Sequence, residues 1–203
     1  QTRVLDTPAG HGSLAPNLVT GTDGTVVLSW IEVDGDTDTL RFAVFENDIW
    51  RDKGTAAAGE NWFVNWADFP SVLPGPMGNL WAHWLQRGSE GGYDYGVRVT
   101  HSKDGGSTWS EPWTPHDDGT PTEHGFVSMM ASGTGIGVAW LDGRKFVSGA
   151  DGGPAPREMR LVGVNGQESV TLSGSSSASV VLAEQEDLTV LLQGLTLILD
   201  AAQ

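Results

Sequence analysis

The residues of this chain that could do chemistry gather in a few short segments. Asn61-Trp62-Phe63-Val64-Asn65-Trp66-Ala67-Asp68 joins three aromatics, two amides and a carboxylate. Thr120-Pro121-Thr122-Glu123-His124-Gly125 adds a second carboxylate and an imidazole. Tyr93-Asp94-Tyr95 holds both tyrosines of the chain, and Arg87 and Arg144 follow Trp84 and Trp140 by three and four residues. Carboxylic acids and imidazole move protons, guanidinium groups clamp carboxylates, and indole rings offer broad faces with a polar edge. Such a set fits a site for a glycan or another polar small molecule.

Each residue also has a plainer reading. Asp68 suits the capping of backbone donors as well as catalysis. Trp62 and Trp66 suit packing as well as a sugar platform. A lone histidine such as His11 or His124 is ordinarily satisfied by backbone partners. Histidine and carboxylate are also metal-ligand types, so a metal held by His11, Asp68 and His124 is a third arrangement, although spacing alone supplies no ligand geometry. The sequence by itself requires no cofactor or metal.

The elements that must position these residues repeat. Trp30, Trp84 and Trp140 each lie in an apolar run that follows a glycine turn, at spacings of 54 and 56 residues. Ahead of each stands another short apolar run: Pro16-Asn17-Leu18-Val19, Pro70-Ser71-Val72-Leu73 and Val127-Ser128-Met129-Met130. After each comes a run with an arginine at a matching place, Arg41, Arg98 or Arg160, assigned to structure because it recurs. Ile49-Trp50 and Thr108-Trp109 mark fourth strands in the first two units. Four short strands per unit of about 55 residues is what a propeller blade requires. The expected blades are residues 11–53, 66–112 and 125–172, with a partial fourth over 178–203. Long connections are expected at Glu32 to Thr39, Arg51 to Asp68, Gln86 to Asp94, Trp113 to Gly125 and Asp142 to Glu158, and such loops are where sites usually lie.

The octet Ser102-Lys103-Asp104-Gly105-Gly106-Ser107-Thr108-Trp109 fits S-x-D-x-G-x-T-W. It reads as a hairpin turn in which the glycines supply positive φ and Asp104 accepts backbone N–H bonds. Ser102, Asp104, Gly106, Thr108 and Trp109 resemble the Asp box of the sialidase-like, BNR-repeat β-propellers, where the box is a structural fastener. The phrases from Asn61 to Ser71, Thr120 to Phe126 and Trp140-Leu141-Asp142-Gly143-Arg144 resemble a bacterial exo-α-sialidase-like branch.

The resemblance implies an all-β, sialidase-like propeller, present here as about three and a half four-stranded blades of a six-bladed ring that is incomplete. It also implies removal of a terminal sialic acid. An aspartic acid protonates the leaving oxygen, a tyrosine activated by a glutamate attacks, and arginines hold the sugar carboxylate. The catalytic set carried over is Asp68, Tyr93, Glu123 and His124. The substrate-binding set is Asn61, Trp62, Asn65, Trp66, Arg87, Asp142 and Arg144. The alternative is a non-catalytic propeller that binds carbohydrate or protein with the same loops. Secretion or periplasmic residence is implied by the resemblance alone.

Composition narrows the partners. With 26 acidic against 11 basic residues the formal charge is −15, which disfavours nucleic acid and anionic membrane surfaces. No apolar run is long enough to span a bilayer as a helix. The absence of cysteine removes disulfides and thiolate metal sites. All nine tryptophans lie at or before Trp140, and residues 147–203 hold no Phe, Trp or Tyr. The chain is therefore expected to be a portion of a longer protein, with an unclosed last blade whose strand edge invites self-association.

Overall fold

Runs rich in Val, Leu, Trp and Thr, each ended by a glycine or Asx turn, become antiparallel strands. The computed structural model describes residues 3–88, 94–116, 118–132 and 135–143, and the backbone of 158–163 and 169–172. Its first sheet is β1 (Leu14–Thr20), β2 (Val26–Asp34), β3 (Thr37–Glu46) and β4 (Ile49–Glu60), paired in that order. The second is β5 (Ser71–Pro74), β6 (Leu80–Arg87) and β7 (Tyr95–Ser102). The third is β8 (His124–Ser132), β9 (Gly135–Asp142), β10 (Glu158–Gly163) and β11 (Ser169–Leu172), again paired with sequence neighbours. Each sheet is an up-and-down meander, the form of a propeller blade, and among the described residues the sheets do not close into a ring.

The internal repeat reappears as register. Trp30 lies opposite Arg41, Trp84 opposite Arg98, and Trp140 opposite Arg160. Arg41 bonds Asp52 at 2.7 Å, and Arg98 reaches the Thr114 hydroxyl and the Pro112 carbonyl oxygen. Where described, these guanidinium groups tie the third strand of a blade to the next segment of chain.

Several connections are shorter than the sequence predicts. Glu32 to Thr39 is a tight hairpin in which Asp34 pairs with Thr37 and Gly35 takes φ +60°. Arg51 to Glu60 belongs to β4, so only residues 61–70 connect the first two sheets. Alternating small residues there (Gly54, Ala56, Ala58) let the strand continue through register shifts. Thr108-Trp109 is not a strand. Its segment runs beside β7 irregularly instead, through Ser110 N–H to the His101 carbonyl and reciprocal Val99–Trp113 bonds. Residues 178–203, expected as a partial blade, lie outside the described residues.

Side-chain alternation gives the middle sheet two apolar faces. Val72, Ala82 and Trp84 join Val27, Leu40 and Phe42 of the first sheet. Leu73, Leu85, Val97 and Val99 join Ile136, Val138 and Trp140 of the third. A buried indole covers about 200 Å², which at about 25 cal/mol per Å² contributes on the order of 5 kcal/mol. The octet 102–109 fastens the first of these seams. Ser102 Oγ accepts from the N–H groups of Asp104 and Gly106, while Asp104 accepts from the Thr108 N–H and hydroxyl at 2.9 and 2.7 Å. Trp109 then meets Phe42 edge-on, at 5.8 Å between ring centroids. Gly106 is required there: its φ is +93°, and a Cβ would stand 2.4 Å from Phe42 Cζ.

Candidate functional site

Strands β7 and β8 approach at their starts, where Tyr95 and Glu123 form a parallel bridge. Successive residues of an extended chain point to opposite sides. Glu123 therefore turns to one polar cluster and His124 to another.

The first cluster is Asp68, Tyr95 and Glu123. Tyr95 Oη donates to Glu123 Oε1 at 2.9 Å. Phe63 lies flat on the Tyr95 ring, 3.9 Å between centroids and 9° between planes, and Arg87 stands over Phe63 at 4.7 Å. Asn65 Oδ1 accepts the N–H groups of Ala67 and Asp68, both at 2.7 Å, forming the Asx turn that presents Asp68. Asp68 Oδ2 accepts the Phe126 N–H at 2.8 Å. That donor is aimed by a bulge in β8, where Phe126 takes φ +51°.

Burial pushes the Asp68 carboxyl above its ordinary range. The backbone donors of Phe126 and Val127 oppose the shift, and the charge of Glu123 adds to it. Gly125 permits the gathering. A Cβ there would lie 2.3 Å from Asp68 Oδ2 and 3.3 Å from Tyr95 Oη, so the two oxygens are no further apart than those distances combined. Asp68 also lines an open pocket of about 310 Å³ with Asn17, Phe69, Phe126 and Ser128. Phe69 and Phe126 remain partly exposed at its edge.

The second cluster is built from buried His124 and Asp142 and half-buried His116 and Asp118. The His124 and His116 rings stack at 3.9 Å and 8°. His124 Nδ1 lies 2.9 Å from the Thr122 carbonyl oxygen. Its Nε2 faces Asp118 Oδ1 at 3.1 Å and Asp142 Oδ1 at 3.7 Å. His116 Nε2 accepts the Val97 N–H at 3.1 Å, and Nδ1 lies 3.5 Å from Asp118 Oδ1. Thr120 donates its hydroxyl to Asp118 Oδ2, and Trp140 donates its indole N–H to Asp142 Oδ2 at 3.2 Å.

The structure thus brings Asp68 and Glu123 together and sets His124 apart from them. Tyr93 and Arg144 lie outside the described residues, and Tyr95 is the phenol beside Glu123. Trp62 is buried and stacked on Trp84 at 5.1 Å, leaving Trp66, 89% exposed, as the member of that pair with open faces. Asn61 is exposed, and its carbonyl accepts from the Arg87 N–H and the Gln86 amide. Arg87 Nε donates to the Trp62 carbonyl oxygen, and its charge also acts on Asp38, whose carboxyl burial pushes up. Asp142 is fully buried against His124 and Trp140.

The trio His11, Asp68 and His124 is not assembled. Among the described residues, the group close enough to share an ion is His116, Asp118 and His124. Sequence reasoning misses His116, Asp118 and the role of Gly125, because nothing local marks a histidine or glycine whose partners lie on other strands.

No protein-family model matches the chain, and no curated protein matches it in sequence. Solved structures do resemble it. One is the GH93 alpha-L-arabinofuranosidase of Fusarium graminearum in complex with arabinobiose, with a TM-score of 0.53 and 15% identity over 79% of this chain and 49% of that one. A protein of unknown function from Dyadobacter fermentans gives 0.52 and 13% identity over 80% and 42%. Polysaccharide lyase Uly1 gives 0.51 and 12% identity over 84% and 43%. At such identities the likeness establishes the fold, that of β-propeller proteins. The chain spans about half, or less, of the length of these structures.

Proposed function

We propose that this chain is part of a carbohydrate-active propeller, a glycoside hydrolase whose acid–base centre is Asp68, Tyr95 and Glu123. The carrying observation is the 2.9 Å hydrogen bond from Tyr95 to Glu123 beside a carboxyl that burial keeps protonated above its ordinary range. Glu123 takes the phenol proton as Tyr95 Oη bonds to the anomeric carbon. The glycosidic C–O bond breaks, and Asp68 passes its proton to the leaving oxygen. Water then reverses the attachment, with Asp68 as base. A tyrosine nucleophile is characteristic of sialidases, so a terminal sialic acid is the substrate this pair supports. A neutral phenol suits an anomeric centre that already bears a carboxylate. Solved structures of similar fold include an arabinofuranosidase, and a glycoside substrate is in keeping with that likeness of fold. Phe69, Phe126 and Trp66 offer exposed rings near Asp68 for the sugar face.

A second reading, a non-catalytic carbohydrate-binding propeller, is favoured by one observation: Tyr95 is only 2% exposed, lying under Phe63. Turnover of a fluorogenic sialoside and of an arabinofuranoside, by the wild-type chain, Tyr95→Phe and Asp68→Asn, separates the two. Sialoside turnover is expected, with a loss of about 10²-fold or more in each variant. It should also decline as pH rises through the elevated pKa of Asp68, because the acid form is consumed. Arabinofuranoside turnover alone would replace the substrate. Glycan binding without turnover, undiminished in Tyr95→Phe, would establish the binding module.

A further inference from the structure

The pocket beside Asp68 is shaped by the repeat itself. In all three sheets, the residue opposite the one that precedes the repeated tryptophan is polar and uncharged. Asn17 lies opposite Ser29, Ser71 opposite His83, and Ser128 opposite Ala139. The first and third sheets also share a bulge. From Leu14 to Asn17, and from Gly125 to Ser128, the first strand carries one residue more than its partner. In both, a residue other than glycine takes positive φ, Ala15 at +49° and Phe126 at +51°. Bulges re-aim the side chains beside them, and such backbone strain gathers where ligands bind. These two strands, with residues 67–69 of the middle unit, line an open space of about 310 Å³.

The lining has the chemistry of a sugar site. Half-buried Asn17 and exposed Ser128 each bring a neutral group that both donates and accepts hydrogen bonds. Phe69 and Phe126, 40% and 44% exposed, offer ring faces to the C–H side of a pyranose. The volume stands at the small end of ligand pockets, roughly 300–1,000 Å³, which suits one sugar unit. Among the described lining residues the one charged group is Asp68, and the like charge of Glu123 already acts on it. A carboxylate or sulfate placed there would add to that repulsion, whereas an uncharged ring would not. Arg87 is engaged elsewhere, over the Phe63 ring and on the Trp62 carbonyl oxygen.

We propose that this pocket is a subsite for one uncharged pyranose unit, held by Asn17, Ser128, Phe69 and Phe126, and that it discriminates against acidic sugars. Binding there requires no chemistry at Tyr95, which lies under Phe63. The place of the subsite in the reaction does rest on the glycosidase reading. Asp68 passes its proton to the leaving oxygen, so the pocket that Asp68 lines receives the leaving sugar. An acidic leaving sugar is then the poorer substrate.

Ligand-observed NMR titration of the full chain tests this with matched probes, methyl glucoside and methyl galactoside against methyl glucuronide and methyl galacturonide. At least one neutral glycoside is expected to bind saturably, about 10-fold more tightly than its uronide. Asn17→Ala should weaken it about 5-fold. Ser128→Arg, at an exposed position, should reverse the order and favour the uronide. That gain of a ligand cannot come from unfolding. Tyr95→Phe should bind the neutral glycoside unchanged, so loss of turnover would count against the glycosidase reading and not against the subsite. Where sialosides are cleaved, a neutral leaving sugar should exceed a leaving sialic acid by about 10-fold in kcat/KM. No saturable binding of either neutral glycoside, uronides bound as well by the wild-type chain, or an unchanged order in Ser128→Arg would each overturn the proposal.

Discussion

The seam between the first and second sheets and the seam between the second and third are built from the same repeat yet end differently. The first is apolar along its length. Trp62 stacks on Trp84 at one end, and Trp109 meets Phe42 beside the hydrogen-bonded turn. The second begins with the same kind of core, Val97 and Val99 against Ile136 and Trp140, and then turns polar. At its end stand Tyr95 with Glu123, Asp68, and the His116–Asp118–His124–Asp142 group. The same blade geometry can close a junction with indoles or open it for chemistry. What differs is the connection that leads into the innermost strand. Residues 61–70 fill the first seam with Trp62, whereas Thr120 to Gly125 feed the second with charge and a glycine.

Breaking the apolar seam should have the largest effect. Trp84→Ala removes an indole that is only 5% exposed and its stacking partner's support, and about 3–5 kcal/mol of stability should be lost in urea unfolding. Asp68→Asn, at the polar end, should leave stability at neutral pH unchanged or slightly raised, because it removes a carboxylate that burial disfavours. Equal losses in the two variants would erase the distinction between the seams.

The middle sheet, shared by both seams, has its own acid limit. Burial lowers the His83 imidazole from 6.5 to about 4, and Ser71 Oγ lies 3.0 Å from its Nδ1. The folded state therefore binds this proton less readily than the unfolded chain. The stability it contributes is complete above pH 6.5 and is lost as pH falls toward 4, roughly 3 kcal/mol in all. Chemical denaturation at pH 7 and pH 4 should reveal that difference, and His83→Gln should flatten it. A wild-type profile that is flat over this window would contradict the buried neutral ring.

The smallest effect is expected at the fastener of the first seam. Thr108 and Ser102 hold the exposed Asp104 carboxylate at about 2, below its ordinary 3.8. Its contribution is present above pH 3.8 and disappears as pH falls through about 2. Asp104→Ala should lower the melting temperature slightly at pH 7 and hardly at all at pH 2. An equal loss at both values would show that the turn works through packing of Trp109 alone.

Much of the scaffold was legible in the residues. Trp30, Trp84 and Trp140 recur at near-equal spacing and lie opposite Arg41, Arg98 and Arg160 in three sheets. The turn at Ser102 to Trp109 forms from bonds that its own five typed residues supply. Strand extent was less legible. β4 runs to Glu60 through small residues that resemble loop, because pairing with β3 overrides their weak strand preference.

What the sequence by itself determined is the repeat, the strands that flank each glycine turn, and the candidacy of Asp68, Glu123 and Arg87. All of these depend on local order, since alternation and turn chemistry act over a few residues. The tertiary structure alone decided which candidates meet. Tyr95 reaches Glu123 across 28 positions, and Asp68 reaches the Phe126 N–H across 58. Those contacts exist because blades stack side by side and bring together residues one repeat apart. A bulge at Phe126 and a missing side chain at Gly125 then leave room for the carboxyl. The same stacking buried Trp62 and turned His124 away from the pocket, outcomes set by which sheet face each residue joins.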